Sequence, residues 1–267
     1  MGLTKISNLF HGKHTKRLLN FNDLEVERLQ YAHDVHQTLF EGNFSSPVTD
    51  LLREGAKVLD FRCCRACEMS SDFKNSTFYA IESVSCFPTQ KPFNVEFIKS
   101  NILNDGIPFE NDFFDFIYVR SAILWYTVSQ WKEIIIPELI RVLKPGGYLE
   151  IMEAELKLFG EDTETPIMTK HVEKFRALLR SRKIDSYMIL ELPNILNSTN
   201  QMMDIQEDVR KCPVGTWDSR IGELGANLSI SLILQTLITT RLTRQEDYSD
   251  IANKMMFESL SLKIDIL

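Results

Sequence analysis

Residues 113–151, FFDFIYVRSAILWYTVSQWKEIIIPELIRVLKPGGYLEI, are the most informative stretch of this 267-residue chain. The stretch begins with an apolar run typical of a buried strand and continues with apolar residues at helical spacing. It then turns through Lys-Pro-Gly-Gly into a second apolar run. A strand, a helix and another strand in this order predict two parallel strands joined by a right-handed crossover.

The same alternation extends toward the N-terminus. An amphipathic helix is predicted from Asn22 or Asp23 to Phe40. We therefore predict an α/β fold, a doubly wound and mostly parallel Rossmann-like sheet, over about residues 45–158. The three upstream strand patterns cover residues 57–61, 77–82 and 94–102.

The two ends of the chain differ from this central part. Residues 1–22 contain four basic and no acidic residues, which favours a disordered basic lead, with a transit peptide as the alternative. Residues 23–267 are predicted to form one domain, whose last part, about 161–267, is a helical cap and C-terminal helices. Within it, helix patterns cover 166–184, 219–242 and 243–262, and a strand pattern covers 203–215.

Composition narrows the class of protein. No apolar run reaches the roughly 18 residues of a membrane span, so we expect no membrane partner. The net charge of −7 argues against non-specific binding of nucleic acid. Five cysteines, an odd number, and the lack of a signal peptide predict an intracellular protein with reduced thiols, in the cytoplasm or nucleus.

Polar residues follow the predicted strands where ligands bind in open parallel sheets, beyond the carboxyl ends. These residues include Asp60, Glu82, Asn101 and Arg120. Glu82 ends an apolar strand 22 positions after Asp60, and a carboxylate there can accept hydrogen bonds from both hydroxyls of a ribose. The alternative for Glu82 is a solvated strand end.

Taken together, these segments resemble a class I S-adenosylmethionine-dependent methyltransferase. More narrowly, the chain is similar to fungal methyltransferase-domain proteins related to regulators of secondary metabolism. The resemblance extends over about residues 22–262, and its most specific part is PFENDFFDFIYVR followed by ELIRVLKPGGYLEI. It implies S-adenosyl-L-methionine as cofactor and a small molecule or a protein as methyl acceptor, with a protein partner also expected.

The resemblance also implies particular cofactor contacts. Glu82 matches the ribose acid, Asn101 and Ile102 match the adenine contacts, and Arg120 matches the floor of the site after the fourth strand. Methyl transfer depends mainly on placing the acceptor in line with an activated sulfonium. No catalytic residue is therefore assigned.

The loop after the first strand departs from the family pattern D-x-G-x-G-x-G. Aligned on Asp60, the three glycine positions hold Arg62, Cys64 and Ala66. The interval from Asp60 to Glu82 is also shorter than the resemblance implies, which predicts a following helix shortened by almost one turn, with a shorter loop after the helix as the alternative. A non-glycine residue with positive φ at position 62 would be strained by about 1–2 kcal/mol. The alternative function is therefore a catalytically inactive pseudo-methyltransferase that serves as a binding or scaffold module in a regulatory complex.

Three smaller predictions concern the aromatic residues after the fourth strand, the cysteines and the C-terminal segment. Trp125 and Tyr126 are expected to pack in the core, with the methyl-acceptor side as the alternative. Cys64-x-x-Cys67 is a single pair, whereas four-cysteine zinc sites use two, so no metal site is expected. In the related fold the last strand is antiparallel, and residues 263–267, KIDIL, are predicted to be a fragment of it.

Overall fold

The computed structural model describes residues 23–62, 66–83, 87, 90–155, 158–159, 166–215, 219–239, 250–255 and 264–266.

A five-stranded parallel sheet forms the centre of the molecule, in the order β3-β2-β1-β4-β5. The strand order reverses between β1 and β4, which is where ligands bind in such sheets. The doubly wound α/β fold is therefore confirmed. The strands are β1 (Lys57–Phe61), β2 (Thr77–Glu82), β3 (Val95–Lys99), β4 (Phe114–Arg120) and β5 (Leu143–Met152).

Helices flank this sheet, and further helices precede and follow it in the chain, as the sequence predicts. Those associated with the sheet are α1 (Asp23–Phe40), α2 (Thr49–Glu54), α3 (Ala66–Asp72), α4 (Ile102–Asp105), α5 (Val128–Gln130) and α6 (Ile136–Val142). The C-terminal part contains α7 (Pro166–Ser181), α8 (Met188–Ser198) and α9 (Ser219–Thr239). None of the helices in the described part of the chain is both long and apolar enough to cross a membrane.

The crossover from β4 to β5 is more irregular than predicted. A π-helical segment, Trp131–Ile135, separates α5 from α6 just before Pro137. Proline has no N–H to donate to the preceding turn, so a widened turn at this point has a physical cause. The Lys-Pro-Gly-Gly turn lies within β5, where the register shifts and Gly146 has φ +77°.

Alternate residues of β4 pack on opposite faces of the sheet. Ile117 and Val119 belong to the larger core cluster, which includes α6 and residues of α8. Phe116 and Tyr118 pack on the other face, against α2 and α3. A strand buried on both faces accounts for the nearly continuous apolar run in the sequence.

A second, three-stranded sheet has the order β6-β8-β7, where β6 is Leu158–Phe159, β7 is Cys212–Val214 and β8 is Ile264–Ile266. β8 is antiparallel to both neighbours. A short antiparallel strand therefore forms at the predicted position, but it belongs to this second sheet and does not pair with the five-stranded sheet. The strand predicted over 203–215 is limited to β7. α8 was not predicted, and the helix predicted over 243–262 is described only at 250–255.

Candidate cofactor site

Arg62 follows β1 directly and has the backbone conformation of a glycine. Its φ is +84°, and its N–H donates to the carbonyl of Ile81 at 3.0 Å. Residues other than glycine are disfavoured in this left-handed region of φ by roughly 1–2 kcal/mol. The loop therefore keeps the turn that the family glycine makes, although glycine is absent.

The Arg62 side chain extends to the end of β2. Its Nη2 lies 3.4 Å from Oε2 of Glu82, and its guanidinium carbon lies 3.9 Å from the centre of the Trp125 ring. The side chains of Arg62 and Glu82 are only 10% and 6% exposed. The guanidinium is thus held by a charge and by an aromatic face in the corner next to Glu82.

Glu82 has different partners on its two oxygens. Oε1 accepts from the backbone N–H and the hydroxyl of Ser83, at 2.6 and 2.9 Å, while Oε2 faces Arg62. A carboxylate at this strand end is what ribose recognition requires. The position beside this carboxylate is taken by the Arg62 guanidinium.

Trp125 is presented by a 3₁₀ turn, Ile123–Trp125, that follows β4. Glu153, just after β5, fixes this turn, since Oε1 accepts from the N–H groups of Ala122 (2.5 Å) and Ile123 (3.1 Å). The sequence analysis did not identify Glu153, although an acid after the apolar run of β5 was a usable signal.

The pKa of the Glu153 carboxyl is raised to about 7. Burial is the main cause, and it outweighs the opposing effects of the two backbone hydrogen bonds and of the positive charges of Arg62 and Arg28. Arg62 therefore lies in a group of buried charges at this edge of the sheet.

The predicted adenine contacts lie at the end of β3. Asn101 is the N-cap of α4, and its Oδ1 accepts from the N–H of Leu103 at 3.2 Å. The Ile102 side chain is buried in the larger core cluster. An adenine contact through these two residues stays a prediction.

Arg120, predicted at the floor of the site, is 3% exposed. Its Nη2 donates to the carbonyl of Asn43 at 2.7 Å, in the loop between α1 and α2, and its guanidinium lies 4.7 Å from the Tyr118 ring centre. The structure therefore places Arg120 at the expected strand end, against that loop.

The remaining loop residues are partly described. Asp60 is buried in β1, and α3 begins at Ala66 and has seven residues. Its shortening relative to the family stays a prediction. Cys64 lies outside the described residues. Burial, followed by the charge of Asp60, raises the pKa of the Cys67 thiol, which disfavours a reactive thiolate.

Aromatic residues after β4 divide between core and site. Tyr126 packs against Phe61 and edge-on against Trp131, as predicted for a core residue. Trp125 contacts Arg62 and also borders the cluster around Phe175. Among the residues described, no three His, Cys, Asp or Glu side chains are arranged to hold a metal ion.

Comparison with known proteins agrees with this fold. Residues 75–151 match the family model for a methyltransferase domain. The sheet order and this match define the class of protein: this part of the chain is a class I methyltransferase domain. No curated protein matches the chain. The narrower similarity to fungal regulators stays a prediction.

Several solved structures are similar to the chain at low sequence identity. A candidate sarcosine dimethylglycine methyltransferase from Galdieria sulphuraria is 14% identical, with a TM-score of 0.43, over 94% of this chain and 91% of that chain. A SAM-dependent methyltransferase from Methanosarcina mazei is 20% identical, with a TM-score of 0.35, over 53% and 69%. PKMT2 from Rickettsia typhi, solved with AdoHcy, is 13% identical, with a TM-score of 0.32, over 89% and 42%.

Proposed function

We propose that this chain is an S-adenosylmethionine-dependent methyltransferase whose cofactor ribose binds beside Glu82, at the end of β2. Arg62 occupies this position, which we call the ribose corner, until the cofactor displaces it. The observation that carries the proposal is the buried carboxylate of Glu82 at the end of β2, with Arg62 Nη2 at 3.4 Å. Glu82 has the chemistry to accept two ribose hydroxyls, and a guanidinium is a mobile group that can leave such a carboxylate.

The residues at the strand ends have separate tasks in this proposal. Glu82 would orient the ribose, and Asn101 would meet the adenine edge, as the resemblance implies. S-adenosylmethionine, when bound, supplies the activated methyl group, so the protein contributes mainly position and the exclusion of water. The acceptor is proposed to be a small molecule or a protein.

A second candidate function is a pseudo-methyltransferase that binds a partner without turnover. The favouring observation is the number of contacts that hold Arg62: the Glu82 carboxylate, the Trp125 ring and a backbone with φ +84°. If the free energy of ligand binding does not offset the loss of these contacts, Arg62 stays beside Glu82 and the cofactor does not bind. The fold would then serve as a scaffold in a regulatory complex.

Calorimetric titration of the full chain with S-adenosylmethionine and S-adenosylhomocysteine tests the first proposal. We expect binding that Glu82→Gln weakens by about tenfold or more, because a carboxylate forms stronger hydrogen bonds than an amide. Glu96→Gln, exposed on the neighbouring strand β3, is the matched control and should leave the affinity unchanged. Absence of binding at millimolar ligand would contradict the methyltransferase proposal and support the scaffold.

A further inference from the structure

Arg62 places a cation on the face of an aromatic ring at the carboxyl edge of the sheet. Its guanidinium carbon lies 3.9 Å from the centre of the Trp125 ring, and its Nη2 lies 3.4 Å from Oε2 of Glu82. The face of an indole ring is negative, and tryptophan attracts cations more strongly than the other aromatic residues do. The space between Glu82 and Trp125 therefore has the chemistry of a cation site, and the Arg62 guanidinium occupies it.

Charge balance sets a condition on any ligand that takes the place of this guanidinium. The side chain of Glu82 is 6% exposed, and the positive charge of Arg62 also acts on Glu153, just after β5. Removing the positive partner of a buried carboxylate leaves an uncompensated charge, which is costly. A ligand that brings a positive charge avoids this cost, whereas a neutral ligand of the same shape does not.

The order of the strands places Trp125 on the path of such a ligand. Glu82 ends β2, Arg62 follows β1, and Trp125 lies in the turn after β4, and these three strands are neighbours in the order β2-β1-β4. A nucleoside whose ribose lies at Glu82 and which extends across the end of β1 brings the group on its 5′ carbon to Trp125. In S-adenosylmethionine this group is the sulfonium, a cation. The space that it needs is the space of the displaced guanidinium, so no separate cavity is required.

We propose that the ring face of Trp125 binds the sulfonium of S-adenosylmethionine, in the place that the Arg62 guanidinium occupies, and makes the site selective for a charged cofactor. This inference rests on the proposed function and adds a specificity-determining residue to it. After methyl transfer, S-adenosylhomocysteine has a neutral thioether at this position. Return of Arg62 to Trp125 and Glu82 then favours release of the product. The opposing interpretation is that Trp125 only packs between Arg62 and the cluster around Phe175.

Titrations with three ligands that differ at this one group test the proposal. S-adenosylmethionine carries a sulfonium, sinefungin carries an ammonium at the corresponding position, and S-adenosylhomocysteine carries the neutral thioether. Each is titrated into the full-length wild type, Trp125→Leu and the control Phe93→Leu, whose aromatic ring is 83% exposed before β3, at the opposite edge of the sheet. We expect both cations to bind the wild type and the control at least about fivefold more tightly than S-adenosylhomocysteine, equivalent to about 1 kcal/mol. In Trp125→Leu this ratio should fall below about twofold.

The outcomes separate this inference from the proposed function. If S-adenosylhomocysteine binds the wild type as tightly as the two cations or more tightly, or if Trp125→Leu keeps the full ratio, selectivity through Trp125 is overturned while cofactor binding stands. If none of the three ligands binds at millimolar concentration, both proposals fail. If Trp125→Leu does not fold, Trp125→Phe replaces it, because phenylalanine keeps a ring with a weaker attraction for cations. A ratio in Trp125→Phe as large as that of the wild type then overturns the inference.

Discussion

At the scale of single residues, Arg62 both strains the loop and fills the site. Its positive φ opposes folding by roughly 1–2 kcal/mol, while the guanidinium gains a buried carboxylate and an aromatic face. Strain of this kind persists where the surroundings hold the residue in place, and it is concentrated at functional positions. The backbone at position 62 keeps the positive φ expected of a glycine, and under the proposed function the Arg62 side chain takes the space of the ribose beside Glu82.

Glu153 gives a residue-scale prediction about pH. Its pKa in the folded protein, about 7, is higher than its ordinary value of 4.5, so folding favours the protonated carboxyl. The stability that it contributes is fully present below about pH 4.5 and is lost as the pH rises through about 7. The positively charged groups that act on it, Arg62 and Arg28, already limit this shift.

Glu153→Gln should remove this pH dependence, because the amide oxygen still accepts from Ala122 and Ile123 but carries no charge. The melting temperature of the variant minus that of the wild type should be higher at pH 8 than at pH 5. The change in this difference should be equivalent to about 2 kcal/mol in the free energy of unfolding. Thermal unfolding of both proteins at the two pH values measures this. The same difference at both pH values would show that the carboxyl is not protonated by burial.

At the scale of elements, two glycines of α9 allow β7 to cross the helix. A Cβ on Gly222 would lie 1.8 Å from the carbonyl oxygen of Gly215, and one on Gly225 would lie 2.2 Å from that of Pro213. The N–H of Gly215 also donates to the carbonyl of Gly222 at 2.8 Å. The segments CPVG and RIGELG therefore form one close contact between strand and helix.

Gly225→Ala should separate these two elements. Because the opposing atoms are backbone, they cannot rotate away, and we expect a loss of about 1–3 kcal/mol in spite of the better helix propensity of alanine. Gly42→Ala is the control, since its Cβ would come no closer than 3.8 Å to another residue. Melting temperatures that fall equally for both variants would contradict the close contact.

How far the sequence predicts these elements depends on the signal that each one carries. The parallel strands have long apolar runs, and α9 has a long helical pattern, so both were predicted. α8 contains Pro193, and a proline argues against a helix interior. The helix is stabilised by packing of its apolar face against the larger core cluster, which the sequence does not show. β7 is short because it depends on pairing with β8, which is distant in sequence.

The candidate site was predicted unevenly for a similar reason. Glu82 and Arg120 are the last residues of β2 and β4, so the topology alone places them at the carboxyl edge of the sheet. The direction of the Arg62 side chain depends on Trp125, and the position of Trp125 depends on Glu153 after another strand. Contacts between residues that far apart in sequence have no local pattern.

At the scale of the whole molecule, several buried charged side chains of this acidic chain lie close together at one edge of the central sheet. The bidentate pair of Arg28 and Glu25 on α1 adds to Arg62, Glu82 and Glu153 there. Buried charges of this kind contribute little net stability, and removing one partner leaves the other uncompensated. Such an edge is suited to exchanging an internal partner for a ligand.

The central claim is that Arg62 holds the ribose corner closed, and one titration tests it most directly. S-adenosylhomocysteine is titrated into the wild type, Arg62→Gly and the control Lys183→Gly. Lys183 is exposed and also has a positive φ, +59°, so its replacement removes the same charge and the same strain elsewhere.

We predict that Arg62→Gly binds at least about tenfold more tightly than the wild type, equivalent to about 1.4 kcal/mol, and that Lys183→Gly binds like the wild type. Affinity in Arg62→Gly that is equal to or weaker than that of the wild type would contradict the claim.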